Sequence, residues 1–355
     1  MSPPRYRVAV VGAGIGAAHL DGYFACPDLF EAAVVCDLDL ARAGALAAKA
    51  PGCETSASLD EVVARNDVDI VDICLPPVLH RASVLQALAA GKHVVCEKPL
   101  VASLAEVDEL EEAAERAGRI VLPVYQYRFG NGLGKLRRLV ELGLAGTPLV
   151  ATIETHWNRG PGYYAVPWRG RFASELGGAV LGHAIHAHDL LAVALGPVQR
   201  VTALTAVRVN PIETEDCAAI LLEMTSGALV TSSITLGAAE DISRLRFCFS
   251  DLTAESGLAP YQPASEPWTF KARLPKRQAE VDTALASWAP HKEGFARLFE
   301  LFHATLAEGA PAPVTIADAR ASLGLVTAVY RSAAAAGAPV ELPLAPGHPG
   351  YRGWL

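Results

Sequence analysis

The sequence predicts an α/β protein: a doubly wound parallel sheet, then a second domain of α+β type with a mostly antiparallel, open sheet. Three observations carry that prediction. The first 125 residues alternate short apolar, β-branched runs with longer helical patterns, as a parallel sheet with crossover helices requires. After about Tyr127 the texture changes to longer runs of alternating character separated by turns, which suits antiparallel strands. The length of 355 residues exceeds the size at which one core keeps growing, so two domains are expected, 1–125 and 126–355.

In the first domain the expected strands are Arg7 to Val11, Ala33 to Cys36, Ile70 to Leu75, His93 to Cys96 and Ile120 to Val124. Between them lie helical patterns such as Ala82 to Ala90 and Leu104 to Ala117, the second stopped by Gly118. In the second domain the expected strands are Leu149 to His156, Val198 to Val209, Ala218 to Thr225, Ala228 to Leu236 and Arg244 to Ser250. The turn Thr225-Ser226-Gly227 joins the third and fourth of these into a hairpin. Four prolines between Pro260 and Lys276 predict a long surface loop, and two helices, Glu293 to Ala307 and Ala317 to Ala336, close the chain.

Bulk composition removes several classes of function. With 30 Lys plus Arg against 38 Asp plus Glu, the net charge is −8, and no basic block follows a phosphate backbone. Nucleic acid is therefore not an expected partner. The seven cysteines (26, 36, 53, 74, 96, 217, 248) are scattered, odd in number and free of CxxC pairs, which fits reduced thiols and a cytoplasmic protein. Nothing before Val8 reads as a signal peptide. No run reaches the roughly 20 uninterrupted apolar residues of a membrane span, so no membrane partner is expected.

The stretch RVAVVGAGIGAAHL sets Gly12, Gly14 and Ala17 in a G-x-G-x-x-A pattern between a strand and a helix. Gly12 permits the tight turn, Gly14 lets backbone approach a pyrophosphate, and Ala17 allows close helix packing. The helix N-terminus then offers oriented N–H donors to phosphates. VVCD ends the second strand with Asp37, about twenty residues on, where a carboxylate can accept both ribose hydroxyls. Asp37 and Asp39 would repel a 2′-phosphate, and no Arg or Lys stands beside them before Arg42; NAD is expected rather than NADP. Farther on, Glu97-Lys98-Pro99 ends another parallel strand, at the edge where doubly wound sheets bind ligands. Pro99 holds Lys98 extended and aims it outward. Read from the residues alone, Lys98 is either a proton-exchanging group or a solvated surface lysine.

Taken together, the glycine loop, Asp37, the LPPVLH turn, GKHVVCEKPL, YQYRF at Tyr125 to Phe129, and a glycine pair followed by HxxHD resemble the glucose-fructose oxidoreductase, inositol dehydrogenase and rhizopine-catabolism (Gfo/Idh/MocA) family. The resemblance covers nearly the whole chain, down to AVYRSAAAAGAPVELPL in the last helix. It implies an NAD(P)-dependent oxidoreductase acting on the CH–OH group of a sugar or cyclic polyol, with a Rossmann domain and a C-terminal α/β domain. It implies a homodimer or homotetramer formed through the C-terminal sheet. Gly12, Gly14, Ile15 and Asp37 would hold the dinucleotide, Leu75, Pro76, His80 and Gln126 would lie along it, and Glu97 and Lys98 would sit by the nicotinamide. Lys98 matches the family's catalytic lysine. The segment YYAVPWRGRF resembles a subgroup in which Trp168 and Arg169 border cofactor and substrate, with Tyr163 beside the substrate.

The histidine-rich run LGHAIHAHDL, Leu181 to Leu190, leaves three readings open. If it is helical, His183, His186 and Asp189 share one face and His188 points elsewhere. In the catalytic reading His186 hydrogen-bonds the reacting hydroxyl, Lys98 relays its proton, and both His183 and His186 touch substrate. The family pattern places an Asp where this chain has Gly182, so that Asp is absent and His183 is the candidate to cover it. In the metal reading His183, His186 and Asp189 would bind a divalent ion, but ligands on one helix splay apart and the implied chemistry needs no metal; no metal is expected. In the third reading the histidines are satisfied by the core. Two other functions compete with the dehydrogenase: a dinucleotide-bound sensor without turnover, and a reductase of a non-sugar carbonyl or diol.

Overall fold

Strand β1 (Tyr6–Val11) has no proline and carries valine at three of its six positions, and its last four residues are buried at the centre of the sheet. The structure, a computed structural model, describes residues 4–354. It divides into two compact units: one runs to Gln126 and takes in Gly294–Arg320, and the other holds Tyr127–Glu293 with Ala321–Leu355.

In the first unit β1 is followed by α1 (Gly16–Phe24), β2 (Phe30–Cys36), α2 (Leu40–Ala47), β3 (Glu54–Ser56), α3 (Leu59–Val63), β4 (Ile70–Ile73), α4 (His80–Ala89), β5 (His93–Cys96), α5 (Leu104–Ala117) and β6 (Val121–Pro123). The strands lie in the order β3-β2-β1-β4-β5-β6, and every neighbouring pair is parallel. Strand order reverses between β1 and β4, which makes the carboxyl ends of those strands the ligand-binding edge of such a sheet. Local sequence fixes the helix ends: Asp39 caps α2 by accepting from Ala41 N at 3.0 Å, and Ser103 caps α5 by accepting from Glu106 N. Gly118 then stops α5 in the left-handed region at φ 59°. The short strand β3 was not expected; at three residues it is too brief for a period to register.

The second unit contains α6 (Asn131–Glu141), β7 (Pro148–Asn158), two single-turn helices α7 (Pro161–Tyr164) and α8 (Phe172–Glu175), then α9 (Ile185–Leu195). Strands β8 (Val198–Ala206), β9 (Cys217–Met224), β10 (Leu229–Thr235), β11 (Gly237–Phe249), β12 (Leu252–Ser256) and β13 (Trp268–Ala272) follow, then α10 (Gln278–Ala286). Helix α11 (Gly294–Glu308) belongs to the first unit, α12 (Ile316–Ala334) is mostly in the second, and β14 (Val340–Glu341) closes the sheet. That sheet has the order β13-β12-β11-β7-β10-β9-β8-β14, with β7 and β10 its one parallel pair. The predicted hairpin is β9–β10, paired Leu222 to Val230 and Ile220 to Ser232.

Three expectations need correction. The proline-rich stretch Pro260 to Lys276 is not one surface loop: Trp268–Ala272 pairs with β12, and the Trp268 indole is buried with its Nε1 donating to Pro263 O at 2.9 Å. The prolines flank these five residues, so no ladder donor is lost. The strand expected to reach Val209 stops at Ala206, because the backbone N–H groups of Arg208, Val209 and Asn210 turn onto the Asp216 carboxylate at 2.7–2.9 Å. Finally, Gly294–Arg320, which a boundary after residue 125 puts in the second domain, packs in the first. Phe295 and Phe299 of α11 lie on Gly22 of α1, where a Cβ would come within 2.7 Å of Phe295, and the Tyr23 and Phe299 rings stack at 4.0 Å.

In the β7–β10 part of the second sheet one face is core, including Ile153, Ala203, Ile220, Leu222 and Val230. The registered partners on the other face include exposed Val150, Leu204, Leu221 and Leu229. Helix α9 lies against the core face through His188, whose Nε2 is 2.9 Å from Ser232 Oγ on β10. By length and composition the segment Phe172–Leu195 could cross a membrane, but 78% of its most apolar window is buried inside the fold.

Candidate functional site

At the switch edge of the parallel sheet, Gly12 has φ 103°, and a Cβ there would lie 2.4 Å from Cys74 O on β4. Only glycine fits that turn. Gly14, by contrast, has no heavy atom within 4 Å of its Cβ position, so the loop before α1 is open to an incoming group, with Ile15 exposed beside it. Asp37 at the end of β2 is buried, and its carboxylate accepts from Ala13 N at 2.8 Å and Asp39 N at 2.9 Å. Arg42 adds a fork to both oxygens, Nη2 at 2.6 Å and Nε at 3.2 Å. Burial works against the charge, but Arg42 and the two N–H donors win and hold the carboxyl below its usual range. Asp37 thus ties the glycine loop to the neighbouring strand, which the sequence pattern of a ribose-binding acid did not reveal.

Leu75 and Pro76 follow β4 on the same edge and are half-buried. His80 is wholly buried behind them, its ring nitrogens 2.7 Å from Pro99 O and 2.8 Å from Leu75 O. It clamps the ends of two strands; burial lowers its pKa. Gln126, at the end of this unit, has a buried side-chain oxygen with no hydrogen-bond partner.

Lys98 is half-buried and Glu97 buried. One oxygen of Glu97 accepts from Lys98 N at 3.0 Å, and the other faces His19 Nε2 at 3.1 Å. His19 Nδ1 is in turn 2.8 Å from Asp72, which also accepts from Tyr23 OH at 2.9 Å. Both ring nitrogens of His19 therefore meet carboxylates, and both must carry protons to donate. Burial opposes that charge, but Asp72 overcomes it and lifts His19 well above 6.5. His19, an Asp72 oxygen and Cys74 Sγ lie within 4.8 Å of one another, and the histidine and tyrosine hydrogen bonds take up the carboxylate. None of His19, Tyr23 or Asp72 was singled out in the sequence. The signal was there in Asp72: a charged residue inside VDIVDIC, where β4 is buried at every position.

In the second unit the histidine run does not form one regular helix. Val180–Ala184 is a π-helical turn and α9 begins at Ile185, so His183 falls outside the regular helix while His186 and Asp189, three apart within α9, keep the expected shared face. The His183 ring lies edge-on to Trp157 at 5.3 Å and tilted to Tyr163 at 5.6 Å. His186 stacks on Tyr127 at 4.3 Å. Asp189 takes a two-pronged ion pair from Arg128, at 2.5 and 2.7 Å. His188 is buried and pushed down to about 4, which keeps it neutral against Ser232.

Arg169 lies over the rings of Tyr163 at 3.9 Å and Trp168 at 4.4 Å, donates to Tyr163 OH, and faces Glu175 at 3.6 Å. Tyr163, Trp168, Arg169 and His183 thus gather in one cluster with Trp157. Glu215, absent from the sequence reading, holds the entrance to the π-turn: its carboxyl accepts from Gly178 N at 3.1 Å, Val180 N at 2.9 Å and Tyr330 OH at 2.9 Å. Gly178 must be glycine, since a Cβ would fall 1.9 Å from Glu215 O. Burial raises Glu215 to about 7.

In the first unit a glycine turn, a buried acid and a lysine lie on one edge of a 3-2-1-4-5-6 parallel sheet, the doubly wound arrangement of nucleotide-binding folds; the second unit carries a histidine helix backed by its own sheet. Residues 6–125 match the oxidoreductase family with NAD-binding Rossmann fold, and residues 133–255 match the GFO/IDH/MocA C-terminal domain. The chain belongs to the Gfo/Idh/MocA oxidoreductase family, and its first unit is an NAD-binding Rossmann domain.

Among curated relatives, the inositol 2-dehydrogenase of Rhodococcus erythropolis is 36% identical over 146 residues, 41% of this chain and 42% of that one. The D-glucoside 3-dehydrogenase of Escherichia coli is 31% identical over 201 residues, 55% of this chain and 56% of its own. Other curated relatives are matched over 59–66% of their length. Among solved structures, the WlbA dehydrogenase from Bordetella pertussis in complex with NADH and UDP-GlcNAcA superposes with a TM-score of 0.84 at 26% identity, covering 97% of this chain and all of that one.

Proposed function

We propose that the protein is an NAD-dependent dehydrogenase that interconverts a secondary alcohol and a ketone on a sugar or cyclic polyol. The observation that carries this reading is Lys98, half-buried at the carboxyl end of β5 and anchored through its backbone N–H to a buried glutamate, on the same edge as the open glycine loop and Asp37. The residues there suit a dinucleotide. Gly14 leaves room for phosphate, Asp37 stays ionised to accept ribose hydroxyls, and the unpartnered Gln126 oxygen can receive an N–H donor such as a carboxamide. Ile15, Leu75 and Pro76 would flank it. Bound NAD supplies the hydride acceptor.

In the forward direction the carbinol C–H bond breaks with its electron pair, and the hydroxyl proton passes to Lys98 and on to solvent. His186 holds and polarises the carbon–oxygen bond. His183 and Tyr163, packed together with Trp157, and Arg169 over Tyr163 form the wall against which the substrate ring rests. The outer face of the second sheet, with Val150, Leu204, Leu221 and Leu229 exposed, would pair with a second copy in a homodimer or homotetramer. The partner would be the small-molecule substrate, not nucleic acid or a membrane, and the protein would work in the cytoplasm.

The test is NADH formation at 340 nm when the wild type meets NAD⁺ and a panel of inositols, aldoses and alkyl glucosides. Reduction with at least one member supports the reading. A protein that binds NADH yet reduces NAD⁺ with none of them acts as a sensor or takes another carbonyl class, and the proposal fails.

A further inference from the structure

As the structure holds it, the Asp37 carboxylate is full. An ionised carboxyl has two oxygens with about four lone-pair sites between them. Oδ1 accepts from Asp39 N at 2.9 Å and Arg42 Nη2 at 2.6 Å, and Oδ2 accepts from Ala13 N at 2.8 Å and Arg42 Nε at 3.2 Å. Four donors meet four sites, and the two hydroxyls of a ribose need two of those same sites.

The four donors are not equally fixed. Ala13 N belongs to the glycine turn, which Gly12 sets against Cys74 O, and Asp39 N enters α2, whose first N–H groups at Ala41 and Arg42 the Asp39 side chain caps. Neither withdraws without undoing a turn or a cap. Arg42 is different: it stands in the first turn of α2 on a flexible stem, its side chain 56% exposed against 6% for the acid it forks. An ion pair with one partner largely in water is worth little, so this donor is the one that can leave.

We propose that Arg42 is a specificity-determining residue of the dinucleotide site: its guanidinium competes with the adenosine ribose for Asp37 and is displaced when the hydroxyls bind. The displacement is not equivalent for the two dinucleotides. A plain ribose takes Asp37 and leaves Arg42 a cation in water, whereas a 2′-phosphate gives the released fork a bidentate partner. Arg42 therefore works against NAD and for NADP, and it narrows the preference that Asp37 and Asp39 set by repulsion. The inference needs the NAD-binding first unit alone and holds whichever alcohol the enzyme oxidises.

The test is titration of the intact protein with NADH and with NADPH, without substrate, by nicotinamide fluorescence and calorimetry. Wild type is expected to bind both. Arg42→Ala is expected to bind NADH about threefold to fivefold more tightly, the range set by an exposed ion pair that no longer has to be broken, and NADPH at least about threefold more weakly. A cation that merely attracts dinucleotide phosphates would, on removal, weaken both. Arg42→Lys keeps the charge but loses the fork, so it is expected to tighten NADH as alanine does while retaining most of the NADPH affinity. In an Asp37→Ser background there is no pair to break, and adding Arg42→Ala is expected to leave NADH affinity within about 1.5-fold.

Arg42→Ala that binds NADH no more tightly than wild type overturns the assignment, and so does the same gain in affinity when Asp37 is serine. NADPH affinity unchanged in Arg42→Ala, or a wild type that binds NADH and not NADPH, also overturns it. If Arg42→Ala does not fold, Arg42→Gln, which keeps most of the stem and removes the charge, takes its place with the same expected signs. Because no substrate is present, failure here leaves the sugar or polyol dehydrogenase reading standing, and failure of that reading on the alcohol panel leaves this result standing.

Discussion

Lys98 rests on buried ions, whereas His186 rests on a tyrosine ring and a helix whose neighbours are mostly apolar. Behind Lys98, the imidazolium of His19 lies between Asp72 and Glu97 in a short chain of hydrogen bonds that reaches the Lys98 backbone. Around His186 the charges are kept apart: Arg128 goes to Asp189, Glu215 sits near neutrality on backbone N–H groups, and His188 is neutral. Under the proposed function, a lysine that exchanges a proton while its backbone stays fixed would gain from a stiff ionic support, and a histidine that fits a ring-shaped ligand would gain from packing.

The difference can be broken first on the ionic side. His19→Leu leaves Asp72 and Glu97 facing each other without their cation, and the expected loss is about 3–5 kcal/mol in unfolding free energy, measured by urea denaturation at pH 7. The sign with pH follows from the direction of the shift. His19 is raised above 6.5, so its stabilisation is complete below pH 6.5 and is lost only as pH climbs through the raised folded value. The wild type should therefore lose stability on the alkaline side in a way that His19→Leu does not. A variant as stable as wild type at neutral pH would show that the network is not held by its imidazolium.

On the histidine side, Arg128→Met strands one carboxylate, Asp189, which is 3% exposed. About 3 kcal/mol of stability should go, again by denaturant titration, with the Tyr127–His186 stack loosened because Tyr127 precedes Arg128 in chain. A smaller effect of opposite sign is expected at Glu215. Its folded pKa of about 7 lies above its ordinary 4.5, so the carboxyl costs stability as pH rises between those values. Glu215→Gln removes that cost. The variant should match or fall below wild type near pH 5 and gain on it by about 2–3 kcal/mol near pH 8; a pH-independent difference would mean Glu215 is ionised throughout.

These contrasts also explain what the sequence let a reader see. The Rossmann strands and the turn between β9 and β10 are short-range patterns, and they emerged within a few residues: β5 and α5 have the expected bounds. Gly12, Asp37 and Lys98 could be placed at the sheet edge from the sequence because each sits at a fixed offset from a strand end. The supports were not, since they join distant segments: His19 to Glu97, Arg128 to Asp189, Glu215 to Tyr330. The π-turn at Val180–Ala184 also lay beyond a 3.6-residue period, which is why His183 was placed on a regular helix with His186 and Asp189. Helices α6 and α10 and strands β12 to β14 went unread.

The most direct test of the account is a paired measurement on Lys98→Met: NADH affinity by fluorescence titration and turnover with the best panel substrate. The account predicts NADH binding within about twofold of wild type and a loss of turnover of at least 100-fold, in line with removal of the group that exchanges the proton. Turnover that survives in Lys98→Met with NADH binding intact would contradict it.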